Sequence, residues 1–425
     1  MIPGKFQYLL SDTGLDTDWE QSVVSLPDVV PFLLPKNIYE NGKWANLPSN
    51  AIDFVTGTAG LIISDSDLTL LAWHAHRMLF IDKTVAPSDT RHWPLLTSLL
   101  GDFGGAFYLL IALSGIPHSR AIHQSRNIPD DIARNTYRDI YVWAQQYHDI
   151  GTFKDGRFFH PGQPGCWGLC TRIFPWLLSH LYGHLYRVGR LQYKTGPFRQ
   201  PMRVYRHRQT GHIRLLIEAG QTFRTDGHYN GSGGIEDSNA WTSTLAETPT
   251  QVTGHPIHPS GYVLHNSVTL TLTDWECVLN TGDPILEIHI PEDGPMEFNA
   301  CGESLQHIIE FFPKHFPEHP FKAICCTSWF LDPIYQKLLS KTSNIVRFQR
   351  ECYLYPLHSR GNRSGLERIF GSHVHDLANA PHNSSMRIAV LDHLEAGGVL
   401  ISGGALLFPE HVSAWGTQSY LQQFQ

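Results

Sequence analysis

The chain of 425 residues has no excess of positive charge, no cysteine pairing pattern and no apolar run of bilayer length. Each absence removes a class of function. Thirty-two Lys and Arg stand against 39 Asp and Glu, a net charge of -7, so sequence-independent binding to nucleic acid is not expected. The seven cysteines (166, 170, 277, 301, 325, 326 and 352) include no CxxC pair and are odd in number. That pattern fits reduced thiols in a cytoplasmic protein better than a disulfide framework. The start, MIPGKFQYLLSDTGLDTDWE, lacks a basic segment, an apolar segment and a small-residue cleavage site, so no secretory signal is read there. The longest uncharged apolar run, 103–116, is interrupted by glycines and short for a bilayer, which predicts a buried core helix and no membrane partner. No repeat of fixed period is present.

What is there suits a folded protein with more than one core. Hydrophobic residues make up 42% and charged residues 17%, and the length calls for two domains. Apolar residues recur at three and four over 68–80, 95–113, 130–150 and 170–193, which predicts helices. Asp130 and Asp131 after Pro129 mark a helix start. TGPFRQP at 195–201 breaks this texture, and from Met202 the pattern alternates with turns. A hairpin is predicted with its turn at Gln209-Thr210-Gly211, and a polar, glycine-rich loop at 224–239. Helices return at 298–312, 333–339 and 384–396, with strand-like pieces at 343–357 and 397–408. The fold class is α+β, with a helical domain over 1–195 and a mixed domain over 196–425.

The stretch 288–357 is the most informative. It orders strand, Gly/Pro loop, helix, strand, helix and strand, and a strand opening into a loop and a helix N-terminus is a common way to hold an anionic cofactor. It contains His289-Ile290-Pro291, Gly294-Pro295, Cys301-Gly302-Glu303-Ser304 and Phe316-Pro317. Ser328-Trp329-Phe330-Leu331-Asp332-Pro333 follows, then Ser343-Asn344-Ile345 with Phe348-Gln349. In order and spacing these words resemble the N-acyltransferases that carry a GNAT-like C-terminal domain. Trp176-Leu177, His180-Leu181, the run from Leu185 to Gln192 and the Ala396-Gly397-Gly398 turn are similar as well. The resemblance covers most of 140–410.

It implies a GNAT-like C-terminal domain and transfer of an acyl group from acetyl-CoA or another acyl-CoA to an amine of a small-molecule or peptide acceptor. On that mapping the backbone of Leu286, Ile288 and Ile290 pairs with the pantetheine arm, and Gly294 and Met296 belong to the diphosphate loop. Ser328 and Trp329 end the next strand, splayed from the first to leave an acyl slot. A GNAT loop usually reads Arg/Gln-x-x-Gly-x-Gly/Ala, whereas this one reads Glu292-Asp293-Gly294-Pro295. Two carboxylates oppose a diphosphate, and Pro295 offers no N–H. The basic, glycine-bearing stretch 360–365 has suitable chemistry but follows the wrong strand.

His289 is the candidate general base, since histidine is the commonest side chain in that role. The alternative is a structural histidine tying down the loop that follows. The resemblance also brings in Tyr335 as the group that reprotonates the departing thiolate, with Asp332 beside it. Asp332-Pro333 equally reads as a helix start, with Asp as cap. Ser304 lacks the second glycine of a nucleophile elbow and reads as part of a polar helix face; Cys301 reads as core filler. Twenty-five histidines raise a metal reading. His255, His258 and His265, or His373 and His375 with Asp376, would supply a two-His-one-carboxylate iron site for an oxygenase. HPIHP is proline-broken, and His74 and His76 diverge on a helix, so no metal is expected. Arg187, Arg190 and Gln192 are expected to face an interdomain cleft. Beside the acyltransferase stands a second reading, a GNAT-derived interaction protein that has lost diphosphate affinity.

Overall fold

The computed structural model describes residues 2–11, 13–150, 162–359, 363–371 and 377–424. The chain forms two compact units: Met1–Val188 with Pro291–Asp293, and Gly189–Ile290 with Gly294–Gln425. The first is helical and the second mixed, as the α+β reading predicts.

In the first unit the central helix is Gly104–Ser114, every residue of which is buried. A helix apolar all round has no face for water and must be surrounded. The longer helical run Thr97–Ser125 is apolar enough by composition to cross a membrane, but 78% of its most apolar window is buried inside the protein. Ser49–Ile63, Asp130–Asp149 and Phe174–Leu181 pack around the central helix. Their ends follow local chemistry. Asp65 caps Ser66–His76 by accepting the N–H groups of Asp67 and Leu68 at 2.9 and 3.2 Å. Asp130 and Asp131 set negative charge in the first turn of Asp130–Asp149.

The 170–193 pattern predicts one helix, but the helix ends at Leu181. Gly183 and Gly189 take positive φ of 68° and 67°, and the chain turns into strand β1 (Leu185–Val188) and strand β2 (Leu191–Pro197). A Cβ at Gly183 would meet Ile122 at 2.8 Å and the Tyr186 hydroxyl at 2.9 Å, so only glycine fits the turn.

The second unit begins with an antiparallel sheet. It contains β3 (Met202–His207), β4 (Ile213–Ile217), β5 (Pro256–His258), β6 (Tyr262–Val263) and β7 (Trp275–Leu279), in the spatial order β6-β5-β4-β3-β7. β3 and β4 form the predicted hairpin, with Gly211 at φ 72° in its turn. A second sheet, of mixed direction, positions the site. Its strands from this unit are β2, β8 (Pro284–His289), β9 (Ala323–Ser328), β10 (Tyr353–Pro356) and β11 (Gly403–Leu407), ordered β2-β8-β9-β11-β10. β8 and β9 are parallel, joined through helix Phe298–His315. That helix buries Cys301, Leu305, Ile308 and Phe312, a stripe at helical spacing.

The strand predicted at 343–357 is a helix, Asn344–Glu351, followed by β10. The Ser343 hydroxyl accepts the Val346 N–H at 3.3 Å, and Val346, Phe348 and Gln349 turn inward. A serine cap ahead of an amphipathic run outweighs the β-branched residues within it.

The buried histidines of the first unit include His74, His76 and His123. His74 bonds Ser22 Oγ at 2.7 Å and the Leu15 carbonyl at 2.9 Å, and His76 bonds Ser114 Oγ at 2.8 Å. Burial pushes their pKa values down to about 4, 3 and 4 respectively, so all three are neutral at pH 7. The unfolded chain takes up these protons near pH 6.5 and the native state does not. Stability is therefore complete above pH 6.5 and is lost as pH falls toward 4. Each such histidine should contribute a loss of about 1.4 kcal/mol per pH unit in that window. Denaturant unfolding at pH 7.5 and 5.5 checks this; equal stability at the two pH values would refute it.

Candidate functional site

The candidate site is a gap between two parallel strands. β8 pairs with β9 at Ile285, Leu286 and Glu287, opposite Ala323, Ile324 and Cys325, and the register ends there. β8 nevertheless goes on pairing with β2 as far as His289, and β9 goes on pairing with β11 as far as Ser328. Each strand keeps its outer neighbour while it parts from its inner one. Across the opening the Cys326 thiol donates to the Ile288 carbonyl at 3.6 Å.

Alternation sorts the flanking side chains onto two faces. Glu287, His289, Cys325 and Thr327 point one way; Leu286, Ile288, Ile324 and Cys326 point the other, toward helix Phe298–His315. His289 is 34% exposed, and its Nε2 lies 4.0 Å from Glu287 Oε2. The two side chains thus share one face of the strand, at a separation too long for a hydrogen bond. Thr327 is exposed beside the same gap. Further along this face the Tyr355 ring lies against Gly404, in the space a Cβ would take. Its hydroxyl is buried with no partner among the described residues, and burial pushes its pKa well up. Neither Glu287 nor Tyr355 was singled out from the sequence. The signal for Glu287 was the Glu-x-His spacing on a strand, which sets both side chains on one face.

The loop after β8 corrects the electrostatic reading. Asp293 Oδ2 accepts Arg187 Nη1 at 2.9 Å and Arg138 Nε at 3.0 Å, and its side chain is 11% exposed. One of the two carboxylates set against a diphosphate is thus already compensated by two guanidinium groups. Arg190 donates to the carbonyls of Gly294 and Pro295, fixing the backbone beyond. Gly294 is exposed and Met296 partly so, ahead of the helix starting at Phe298, which has no side-chain cap at its N-terminus.

Other predicted residues are structural. Asp332 is 2% exposed; its carboxylate accepts Ile334 N–H at 3.0 Å and Ile401 N–H at 2.6 Å. Burial raises its pKa to about 6 against these two donors. The helix it was expected to cap begins only at Tyr335, with Ile334 at its N-cap and no side-chain cap, so the carboxylate ties the preceding turn to the approach to β11 instead. Tyr335 is wholly buried beside Leu391 and Leu400, with Trp329 edge-on at 6.1 Å, and its pKa is pushed up. With neither Asp332 nor Tyr335 reaching the surface, no chemical step is assigned to them. Ser304 is buried rather than on a polar face: its hydroxyl accepts Leu191 N–H at 3.2 Å and bonds the Tyr193 hydroxyl at 2.8 Å. Cys301 is buried filler with its pKa raised to about 11.

Trp241 lies against both His255 and His265, at 4.7 and 4.6 Å between ring centroids, and His258 stacks on Tyr262. Among the described residues no group of three or more His, Cys, Asp or Glu is arranged to hold a metal ion. His373, His375 and Asp376, and the stretch 360–362, lie outside the described residues.

Comparison with known proteins matches residues 185–407 to the GNAT-like C-terminal domain and residues 43–151 to the N-acyltransferase N-terminal domain. Among solved structures, an acyltransferase mutant in complex with octanoyl-CoA aligns with a TM-score of 0.55 at 21% identity, covering 88% of each chain. An acyltransferase in complex with decanoyl-CoA and teicoplanin gives 0.55 at 21% over 87% of each chain. One in complex with CoA and 10C-teicoplanin gives 0.55 at 20%, again over 87% of each. At such identity the likeness is one of fold. No curated protein matches the chain.

Replacing Asp332 with Ala should strand two buried N–H groups and cost about 2–5 kcal/mol of unfolding free energy. Asp332→Asn keeps an acceptor for only one of the two N–H groups and should cost roughly half as much. Urea unfolding decides, and equal losses for the two variants would show that the carboxylate oxygens do not hold these N–H groups.

Proposed function

Since this chain belongs to the N-acyltransferase family with a GNAT-like C-terminal domain, we propose that it transfers an acyl group from acyl-coenzyme A to an amine of a small-molecule or peptide acceptor. The observation that carries this reading is the parting of β8 and β9 after Glu287 and Cys325. A strand edge released inside a sheet offers N–H and C=O groups to an extended ligand, and the amides of a pantetheine arm suit such an edge. Ile288 and Ile290 lie along it, with Ser328 and Trp329 at the end of the opposite wall. The Gly294–Met296 segment and the bare N-terminus of the next helix follow, where amide groups attract a diphosphate.

In the step we propose, the amine nitrogen forms a bond to the thioester carbonyl carbon. His289 takes the proton the nitrogen loses, and Glu287 stabilises the imidazolium so formed. The carbonyl oxygen gains negative charge and is met by backbone N–H groups at the gap. Collapse then breaks the carbon–sulfur bond, and the leaving thiolate receives the proton held by His289. Apart from this proton transfer, the protein's contribution is positioning. The acyltransferase complexes with teicoplanin and 10C-teicoplanin support an acceptor in the small-molecule or peptide class.

The test is thiol release from acetyl-CoA against a panel of primary amines, with coenzyme A affinity measured in parallel. His289→Ala should lower turnover about 10²–10⁴-fold while coenzyme A affinity changes little. Unchanged turnover removes His289 from the chemistry, and no thermal shift with coenzyme A at millimolar concentration removes the reading itself.

A further inference from the structure

The first unit carries a charge arrangement that the proposed reaction does not use. Trp44 closes helix Pro35–Trp44, is 9% exposed, and stands edge-on to Tyr137 at 6.4 Å between ring centroids. Arg120, from helix Ile116–Ser125, lies over the Trp44 ring at 4.0 Å, and Arg134, from helix Asp130–Asp149, at 3.9 Å. Two guanidinium groups thus share one indole. Arginines elsewhere in the chain meet carboxylates: Arg77 meets Asp82, Arg187 meets Asp293, Arg203 meets Glu218 and Arg208 meets Glu276. Among the described residues neither Arg120 nor Arg134 has a carboxylate within 4.0 Å. Asp130, one turn before Arg134 on the same helix, does not pair with it. We propose that Arg120 and Arg134, braced on Trp44, form a binding site for a phosphate group, free or carried by a small ligand.

The site lies wholly within the first unit and stands apart from the acyl-coenzyme A reading. Two like charges brought to one indole repel each other, and an anion bound between them removes that cost. Stacking occupies the flat face of each guanidinium and leaves its in-plane N–H donors for a ligand; arginine has five donors and no acceptor. Stacking also holds each side chain in place, so less freedom is lost when an anion binds. The backbone around the ring is tied down as well. Asn46, at a positive φ of 59°, donates its side-chain amide to the Arg134 carbonyl at 3.3 Å. Arg134 is exposed and Arg120 half-buried, so a ligand from solvent has access to both. A phosphate monoester carries close to two negative charges at neutral pH, which matches the two cations. Its tetrahedral oxygens accept from two guanidinium forks at once, whereas a single carboxylate brings one charge and engages one fork.

Calorimetric titration of the full chain with inorganic phosphate, methyl phosphate and acetate, in a chloride buffer of low ionic strength, reads the site. Saturable binding of phosphate is expected, with acetate at least about tenfold weaker. Tighter binding of inorganic phosphate marks the free ion as the ligand; methyl phosphate bound as tightly or more so marks an ester. Arg120→Gln and Arg134→Gln should each weaken phosphate binding at least about tenfold, the loss of a charge-assisted bond. Arg120→Lys and Arg134→Lys keep the charge but not the fork, and should fall between the parent and the Gln variants. An unfolding midpoint equal to the parent's shows that a variant is folded. Arg91→Gln removes the same charge from an exposed arginine elsewhere in this unit and should leave the affinity unchanged. The absence of saturable phosphate binding overturns the proposal. So does acetate binding as tightly as phosphate, or Arg91→Gln losing as much affinity as the two site variants.

Discussion

A hydrogen-bond ladder that stops while both of its strands continue is the constraint on which the second unit depends. β8 and β9 pair for three residues and then follow different partners, β8 with β2 and β9 with β11. Because each outer ladder runs on, the opening is held by backbone bonds on both sides rather than by a flexible loop. Its two faces then acquire different characters from simple alternation. One carries Glu287, His289 and Thr327 and meets water; the other carries Ile288 and Cys326 and meets hydrocarbon. A polar face and an apolar face thus flank a single break in pairing.

The loop after β8 illustrates how composition misleads about field. Read as a string, Glu292-Asp293 looks hostile to phosphate. In three dimensions Asp293 is occupied by Arg138 and Arg187, drawn from a helix and a strand far upstream. Charge-assisted pairs of this kind, here with the Asp293 and Arg187 side chains largely buried, add geometric specificity as well as energy. The acidic residue is therefore better understood as an anchor for the loop, and Arg190 on the following carbonyls serves the same end.

The parts of the fold legible in the sequence were those with strong periodicity and clear stops. Asp130–Asp149 begins at its acidic pair, Ser385–Glu395 falls within its predicted limits, and the hairpin turns at Gly211. Where reading failed, a local signal competed with a longer pattern. The 170–193 run has helical spacing, yet two glycines at positive φ divide it into a short helix and two strands. The 344–351 run has β-branched residues, yet a serine cap makes it a helix. Of the candidate site, His289 and the strand around it were visible because a family pattern marked them. Asp332 was visible as a polar helix start, but the helix begins later, at Tyr335, and the bond to Ile401 could not be read from spacing. Glu287 and the Asp293 clamp were not visible, because each depends on which distant residue arrives opposite. That information lies in register and packing rather than in spacing.

The fully buried helix Gly104–Ser114 has a consequence for how the protein comes into being. Two of the helices that cover it, Asp130–Asp149 and Phe174–Leu181, lie later in the chain. During synthesis its apolar surface is therefore exposed until residue 181 has emerged, and nothing in the earlier helices can shelter it completely. Over that interval the chain presents to the cell a segment, Thr97–Ser125, with the length and composition of a membrane span. Its fate is decided by timing: the ribosome must deliver the covering helices before a chaperone, a membrane or another nascent chain engages the exposed one.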